Sequence, residues 1–476
     1  MNESKKLSRR AFLKATAAGV AGTLVMDNLL AQNLGAPFKG SVLGANERVN
    51  MGFIGVGNRG TELLKLFLKE KKKCRIAALC DVYKPYLDRD VKAVDPRITE
   101  LGQKYPDMGE KFESDPTKYS DYRKLLENKD IDAVCIATPD HWHAMQAIDA
   151  MKAGKDLYCE KPLTITIHEG RMMVETQMKT NRVAAVGLNR RGSLIYQQLA
   201  REIPAGKIGK VSVAGAARIS NMYPNGIGNF KAETLPADFD WDMWLGPRPK
   251  RDWKRNIAPY FFRWHQEFSS QMGNWGVHYL DVIRWMLDEQ APIAVTATGG
   301  KYVLQDDRDI PDTMQVIFEF KSGVIVNFAI YEANSGSLFQ NGEVELRGTK
   351  GVLTVKESNY TIRPTSAGQN QKWPAAKWIE AETFTLEGAK DLADGSSANS
   401  THTLVRDFLD CVKNRRAPLC PLEEGHRSTT LAHLANISLA MGARLEWDSV
   451  KERFTNHAKA NEMLHYEYRK PWRLNV

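Results

Sequence analysis

Two side chains of this sequence, Lys161 and His278, are placed where they could move a proton to or from a substrate hydroxyl. Lys161 belongs to the triplet Glu160-Lys161-Pro162, which follows residues 155–159, an apolar run typical of a buried parallel strand. A lysine in a low-dielectric site can hold a hydroxyl and accept its proton, because burial lowers the lysine pKa. From position alone, a surface Glu-Lys pair before a proline turn explains the triplet equally well.

His278 stands near the start of an apolar helical stretch. Asn274, His278 and Asp281 are three or four residues apart, which predicts that they share one helical face. A histidine there could be a general base, although a lone histidine at a helix start is more often structural. His141 and His143 are two residues apart, but no third ligand is near them in the sequence, so we expect no metal.

A glycine-rich turn supplies the strongest signal for a cofactor. Residues 49–54 read as a short apolar strand, residues 55–60 fit the pattern G-x-G-x-x-G, and residues 63–68 read as a helix. The glycines allow a tight turn and close approach to a pyrophosphate, and the helix N-terminus offers free N–H groups. A second strand, residues 74–80, ends at Asp81, where a carboxylate would accept both ribose hydroxyls of a dinucleotide.

The arrangement of apolar runs predicts an α/β fold with two parts. Strands and helices alternate from residue 46 to residue 188, which predicts a Rossmann domain with a doubly wound parallel sheet. Within it, the polar residues 84–118 are predicted to form a surface excursion. Residues 189–476 predict an α+β domain with a large, mostly antiparallel open sheet, whose last helices can pack back on the first domain. Residues 220–270 are expected to lie over a cleft.

Bulk properties narrow the class of protein. The 476 residues are too many for one core, and no long apolar run predicts a membrane span in the mature chain. The net charge of +9 is spread along the chain rather than clustered, so nucleic acid is not expected as a partner. Arg9-Arg10 before Phe12-Leu13-Lys14 fits a twin-arginine signal in residues 1–45, which predicts export of the folded protein to the periplasm.

Taken together, these motifs resemble the Gfo/Idh/MocA oxidoreductases, the family of glucose–fructose oxidoreductase and inositol dehydrogenase, over nearly the whole mature chain. Residues 241–247 and 460–472 are similar to an exported subgroup of that family. The resemblance implies NAD or NADP at the glycine turn and a sugar carbon beside Lys161 and His278. It implies cofactor contacts from Gly55, Gly57, Asn58, Arg59, Gly60, Asp81, Thr138, Pro139, His143, Glu160 and Asn189. It implies substrate contacts from His141, Arg190, Trp264 and Asn274.

The sequence departs from the family pattern at one position. Relatives such as inositol dehydrogenase carry an aspartate four residues before the histidine, where this chain has Asn274. An aspartate would stabilise a charged imidazole, whereas an asparagine could orient the ring but supplies no charge. We therefore predict that Lys161 is the main proton handler and His278 is secondary. We also expect NAD rather than NADP, because Asp81 would repel a 2′-phosphate.

The predicted compartment bears on the mechanism. A periplasmic enzyme that released NADH would stop after one turnover, so we expect a tightly bound cofactor that is recycled in place. One scheme oxidises a sugar and reduces a second carbonyl compound. The other resembles the NAD-dependent N-acetylgalactosaminidases, in which transient oxidation activates elimination of a glycosidic group; their Thr-His-Gly segment is not apparent here. A non-catalytic sugar-binding protein is a third alternative. The resemblance also implies a homo-oligomer formed through the open sheet.

Overall fold

The structure is a computed structural model that describes residues 5–7, 47–100, 106–339, 342–365, 379–386 and 398–476. The predicted signal and linker, residues 1–45, lie outside the described residues except for the backbone of a three-residue strand, β1 (Lys5–Leu7). Among the described residues, no helix combines the length and apolar character that crossing a membrane requires.

The first domain is built on a parallel sheet in the strand order β4-β3-β2-β5-β6-β7. Its strands are β2 (Val49–Ile54), β3 (Cys74–Cys80), β4 (Thr117–Tyr119), β5 (Ala133–Ile136), β6 (Asp156–Cys159) and β7 (Ala184–Val186). The helices of this part are α1 (Asn58–Leu68), α2 (Lys84–Asp88), α3 (Pro96–Glu100), α4 (Tyr122–Glu127), α5 (His143–Lys152) and α6 (Ile167–Thr180). The order reverses between β2 and β5, and such a switch point opens a ligand crevice at the carboxyl ends of the strands.

The second domain carries the large sheet, in the order β1-β15-β14-β13-β12-β8-β11-β10-β9-β16-β17. Its strands are β8 (Val211–Ile219), β9 (Pro292–Gly300), β10 (Thr313–Phe320), β11 (Ile325–Tyr331), β12 (Val344–Gly348), β13 (Gly351–Lys356), β14 (Asn359–Pro364), β15 (Glu382–Leu386), β16 (Leu445–Asp448) and β17 (Arg453–Phe454). Pairing is antiparallel except between β8 and β11 and between β1 and β15. These two sheets confirm the predicted fold class.

Helices cover one face of the large sheet. They include α7 (Leu194–Glu202), α9 (Val277–Leu287) and α11 (Leu422–Met441), and between α7 and α9 the chain forms the short helix α8 (Trp241–Leu245). A remaining helix, α10 (Ala398–Asn414), packs on the first domain instead. Its Phe408 ring lies 6.4 Å from that of Phe67 in α1, so residues that are far apart in the sequence share one core.

Residues 84–100 and 106–118, predicted to belong to a surface excursion, are anchored to the first domain at several points. Leu87, Val94 and Ile98 are buried in the same core as α1. Arg89 donates to the carbonyl oxygen of Val56 at 2.9 Å and pairs with Glu110 at 2.7 Å. Many of the other described residues in this range are exposed, so the segment lies on the surface and is held there by these few contacts.

Candidate active site

A deep cleft lies at the carboxyl ends of β2, β3 and β5. It is lined by Gly55, Gly57, Asn58, Arg59, Asp81, Thr138 and Pro139, all of which were predicted to contact the cofactor. Gly55 has φ +84°, a left-handed conformation that favours glycine, and its N–H donates to the carbonyl oxygen of Cys80 at 2.8 Å. The chain can therefore turn sharply from β2 into α1 at the floor of the cleft.

The glycine turn fits a dinucleotide. A Cβ at Gly60 would lie 2.0 Å from the carbonyl oxygen of Gly55, so Gly60 packs under the turn rather than lining the cleft. A Cβ at Gly57 would meet only the Tyr86 ring, at 3.5 Å, so this glycine leaves open space on the cleft side. Helix α1 begins at Asn58 without a side-chain cap, so its first N–H groups are free to receive a pyrophosphate.

Asp81 follows β3 and lines the cleft. Its Oδ2 accepts the N–H of Val56 at 2.8 Å, and its Oδ1 accepts the N–H of Tyr83 at 3.0 Å. Burial raises the pKa of Asp81, and the N–H donors of Tyr83 and Val56 oppose that rise. Each carboxylate oxygen keeps a further lone pair, so the side chain can still accept the hydroxyls of a ribose.

Lys161 lies just beyond β6, and Asn274 holds its ammonium group. The Nζ donates to the carbonyl oxygen of Asn274 at 2.7 Å and to its Oδ1 at 3.0 Å. Burial lowers the pKa of Lys161 to about 8, although the negative charge of Glu160 acts in the opposite direction. A lysine in this state can exchange a proton near neutral pH, as the sequence analysis required.

Two predicted cofactor contacts, His143 and Glu160, position the lysine segment instead of lining the cleft. The Nδ1 of His143 lies 2.8 Å from the carbonyl oxygen of Pro162, and its Nε2 lies 2.9 Å from that of Thr138. Glu160 is buried, pairs with the Nε of Arg59 at 2.9 Å and accepts the N–H of Lys161 at 3.2 Å. These contacts tie the glycine turn, β5 and Lys161 into one unit.

The three residues predicted to share a helical face, Asn274, His278 and Asp281, contact different parts of the protein. Asn274 does not orient the His278 ring. A π-helical turn, Met272–Gly276, directs Asn274 toward Lys161. The Nδ1 of His278 is buried without a hydrogen-bond partner among the described residues. Asp281 is bound by Arg191 at 2.8 Å, inside the domain. The prediction failed here because the wider π turn changes the angular spacing of side chains.

The surroundings of His278 favour its neutral imidazole. Burial lowers its pKa well below the usual range, and the positive charges of Lys161, Arg190 and Arg59 lower it further. A neutral ring with an unused Nδ1 can accept or donate one hydrogen bond to a substrate, but it is not a strong acid.

Four residues that were predicted to contact the substrate or the cofactor bind other parts of the protein instead. The Nε2 of His141 lies 2.9 Å from the carbonyl oxygen of Trp244, and Asn189 donates to Glu357 at 3.3 Å. Arg190 pairs with Glu343 at 2.8 Å, and the Nε1 of Trp264 donates to Glu332 at 2.9 Å. None of these four lines the cleft beside the glycine turn.

The sequence analysis did not single out several residues that line the cleft: Tyr86, Gln146, Phe239, Met243, Tyr260 and Arg263. Gln146 accepts the hydroxyl of Thr138 at 2.7 Å. Phe239, Met243, Tyr260 and Arg263 come from residues 220–270, which were predicted to lie over a cleft. The richness of that region in aromatic residues was the only signal for them.

A C-terminal strap, defined as residues 465–476, supports the outer wall of the cleft. Arg469 donates to the carbonyl oxygen of Gly246 at 2.9 Å and to Asp242 at 2.7 Å, next to α8. The Trp472 ring packs edge-on against Trp142 at 4.9 Å, and Trp142 lines the cleft. The strap therefore fixes both α8 and the indole that borders the nucleotide space.

Family models match most of the chain in three consecutive parts. Residues 49–188 match "Oxidoreductase family, NAD-binding Rossmann fold", residues 243–354 match "GFO/IDH/MocA C-terminal domain", and residues 393–474 match "Oxidoreductase family, C-terminal alpha/beta domain". The chain belongs to the Gfo/Idh/MocA oxidoreductase family. The family resemblance inferred from the motifs is thereby confirmed, and the cleft at the glycine turn lies in the part of the chain that matches the NAD-binding Rossmann fold.

Among curated relatives, this Gfo/Idh/MocA protein is 33% identical over 235 residues to a glycosyl hydrolase family 109 protein of Saccharopolyspora erythraea, covering 46% of the chain and 48% of the relative. It is 35% identical over 185 residues to an alpha-N-acetylgalactosaminidase of Shewanella oneidensis, covering 37% of this chain and 38% of the relative. The chain thus spans less than half the length of these relatives.

Solved structures share the fold. A levoglucosan dehydrogenase in complex with NADH and levoglucosan aligns with a TM-score of 0.60 at 18% identity, covering 84% of this chain and 99% of that one. A probable dehydrogenase from Thermotoga maritima aligns with a TM-score of 0.54 at 20% identity, covering 84% of this chain and 99% of that one. At these identities the likeness concerns the fold alone.

The lowered pKa of Lys161 gives this Gfo/Idh/MocA protein a predicted pH profile. A lysine that accepts a proton must be neutral, so hydroxyl oxidation should rise about tenfold per pH unit below about pH 8 and level off above it. His278 is already neutral in this range and should add no step near its ordinary pKa. Single-turnover rates of nicotinamide reduction from pH 6 to pH 10 measure the profile. A rate that falls as pH rises would contradict it.

Proposed function

We propose that this protein oxidises a hydroxyl of a sugar or glycoside by hydride transfer to a tightly held NAD. The observation that carries the proposal is the desolvated Lys161, which is held by both oxygens of Asn274. His143 and Glu160 join its segment to Thr138 and Arg59, which line the cleft that fits a dinucleotide. NAD, when bound, supplies the hydride acceptor. The protein's own part is to hold the substrate and remove the hydroxyl proton.

Lys161 performs the proton transfer. Its neutral amine accepts the proton of the substrate hydroxyl while the carbon loses hydride, and the reverse step returns that proton to the carbonyl oxygen. Asn274 fixes the direction of the Nζ, and Glu160 beside it limits the loss of ammonium character. His278, neutral and with a free Nδ1, holds a neighbouring hydroxyl in the secondary role predicted for it.

Asp81 makes NAD the preferred cofactor. Its half-buried carboxylate would lie beside a 2′-phosphate, and two negative charges that are partly shielded from water repel strongly. We expect Asp81→Asn to narrow the preference for NAD over NADP by roughly tenfold or more, because the amide keeps an acceptor but removes the charge. Equilibrium binding of both dinucleotides to protein stripped of cofactor measures the ratio. An unchanged ratio would show that Asp81 does not discriminate between them.

We further propose that the cofactor is recycled in place in a periplasmic protein. The twin-arginine motif carries folded proteins, so a dinucleotide bound in the cytoplasm could travel with the chain. Replacing Arg9 and Arg10 by lysine should retain the protein in the cytoplasm, which fractionation would detect. Native mass spectrometry of the purified chain should find bound dinucleotide and a homo-oligomer, formed through the open sheet; an empty monomer would contradict both expectations.

A second candidate function is redox-assisted glycoside hydrolysis. It is favoured by the relatives that match the chain, which are a glycosyl hydrolase family 109 protein and an alpha-N-acetylgalactosaminidase. In that scheme the oxidised sugar loses its glycosidic group by elimination, water adds, and the carbonyl is reduced again. The same Lys161 could serve the oxidation and the return step.

One experiment separates the two functions. The purified protein with its retained cofactor is mixed with a free sugar or with the aryl glycoside of that sugar, and nicotinamide absorbance and aryl alcohol are followed together. Net reduction of the cofactor by the free sugar supports the oxidoreductase. Catalytic release of aryl alcohol without net reduction supports the glycosidase. If neither signal appears across a panel of hexoses and hexuronic acids, the protein carries out neither reaction on these sugars and the proposal is wrong.

A further inference from the structure

Arg218 lies at the end of β8 and has no part in the chemistry proposed above. It is in phase with the buried residues Ala214 and Ala216, so its side chain points to the helix-covered face of the sheet. Its guanidinium carbon lies 3.7 Å from the centre of the Trp275 ring, and that ring is 6.2 Å from the His278 ring. Arg218 therefore borders the space beside His278.

This guanidinium is not neutralised by the protein. Its Nε is buried and has no hydrogen-bond partner among the described residues. Burial raises the pKa of the Tyr279 hydroxyl, and the charge of Arg218 and a hydrogen bond that Arg218 donates to this hydroxyl act in the opposite direction, so the polar partner of the guanidinium here is a neutral phenol. Glu332 also feels that charge, but its carboxylate is bound by Arg308 at 2.6 Å and by Trp264. In the described part of the chain, no carboxylate oxygen lies within 4.0 Å of Arg218.

Other buried arginines near the site have carboxylate partners. Arg190 is bound by Glu343 at 2.8 Å, and Arg59 is bound by Glu160 at 2.9 Å. A half-buried charge without a carboxylate partner is less favourable than a paired one, and an anionic ligand would supply the missing charge. A guanidinium held flat on an indole, with its Nε edge free, can bind a carboxylate through parallel hydrogen bonds.

We propose that Arg218 binds the carboxylate of an acidic sugar, so that the substrate is a uronic acid or a glycoside of one. The inference rests on the proposed function, because it names the substrate class of the same site. Trp275, beneath the guanidinium, keeps that group directed toward the substrate space.

Binding of matched sugars to the full chain with its retained cofactor tests the inference. Isothermal titration compares three acid and neutral pairs: glucuronate with glucose, galacturonate with galactose, and mannuronate with mannose. In at least one pair we expect the acid to bind about tenfold more tightly or better, as a charged hydrogen bond provides. Arg218→Gln should remove the difference, and Arg218→Lys should restore only part of it, because lysine lacks the planar fork.

A surface variant and a modified ligand complete the design. Arg347→Gln removes an exposed arginine that pairs with Glu345, and it should leave the preference unchanged. The methyl ester of the preferred uronate tests the same contact in the unaltered protein and should bind like the neutral sugar. If no acid binds better than its neutral partner, or if the ester binds as well as the acid, the inference is wrong. Preference for the acid without any nicotinamide reduction would uphold the inference and count against the oxidoreductase proposal.

Discussion

Replacing Lys161 by methionine is expected to slow nicotinamide reduction by roughly 10²–10⁴-fold, the range that a positioned acid or base contributes. Methionine has similar length and suits the desolvated site, but it can neither hold the hydroxyl nor accept its proton. Rapid mixing of the cofactor-loaded variant with substrate measures the step directly. The pH dependence below about pH 8 should also disappear, since it belongs to this amine.

The folded state provides a control for that variant. The pKa of Lys161 is lowered to about 8 in the folded protein, so at pH 7 folding must hold a charged amine in an unfavourable place. An unfolded chain binds more protons than the folded one between about pH 8 and the ordinary lysine pKa, so the parent gains stability as pH rises through that window. At pH 7 the melting temperature of Lys161→Met should therefore equal or exceed that of the parent.

His278→Ala provides the comparison between the two candidate proton handlers. We expect it to slow the same step by about tenfold, because it removes a hydrogen bond to the substrate rather than the base. If Lys161→Met kept hydride transfer while His278→Ala abolished it, the roles assigned here would have to be exchanged.

Replacing Gly57 by valine is expected to empty the cleft while leaving the protein folded. A Cβ at this position meets only the Tyr86 ring, at the ordinary contact distance of 3.5 Å, so the fold can accept it. The remaining methyl groups would occupy the space that the pyrophosphate needs above the start of α1. We expect the dinucleotide retained after purification to fall roughly tenfold or more, as read by absorbance after denaturation.

Substitutions at two other glycines serve as controls for the loss of dinucleotide expected in Gly57→Val. Gly109→Val is a matched change outside the cleft, where a Cβ meets only Asp107 at 3.5 Å, and it should keep the full complement of cofactor. Gly60→Ala should instead disturb the turn itself, because the new Cβ would lie 2.0 Å from the carbonyl oxygen of Gly55. A Gly57→Val protein that still carries a full complement would show that the dinucleotide binds elsewhere.

The sequence was most informative where local pattern and chemistry coincide. The glycine turn, Asp81 and the strand before Lys161 could be predicted because each depends on a few consecutive residues. Short strands such as β14 and β15 could not, since five or six residues with a weak alternation do not stand out from loops. The contacts that anchor the surface segment 84–118, such as the pair of Arg89 and Glu110, join residues that are not neighbours in the sequence, so the sequence does not display them.

Site residues in the second domain were harder to predict than those at the glycine turn. Asn274 was singled out, but its partner was not, because a π turn and the approach of a second domain bring it to Lys161. Trp264 was expected at the substrate, yet it donates to a buried glutamate. Such contacts join residues far apart in the chain. Tertiary packing determines which of several polar groups each side chain binds, and local sequence does not show it.

The strap has a consequence for how the coenzyme and the chain depend on each other. Arg469 reaches back to Asp242, and Trp472 to Trp142, so part of the nucleotide chamber is built from segments hundreds of positions away. An excised Rossmann domain would lack that wall, however well its own sheet formed. A ligand that favours only the completed architecture raises the free energy of unfolding of the entire polypeptide. Binding of the dinucleotide would thus require that the C-terminal strap has already packed against the first domain.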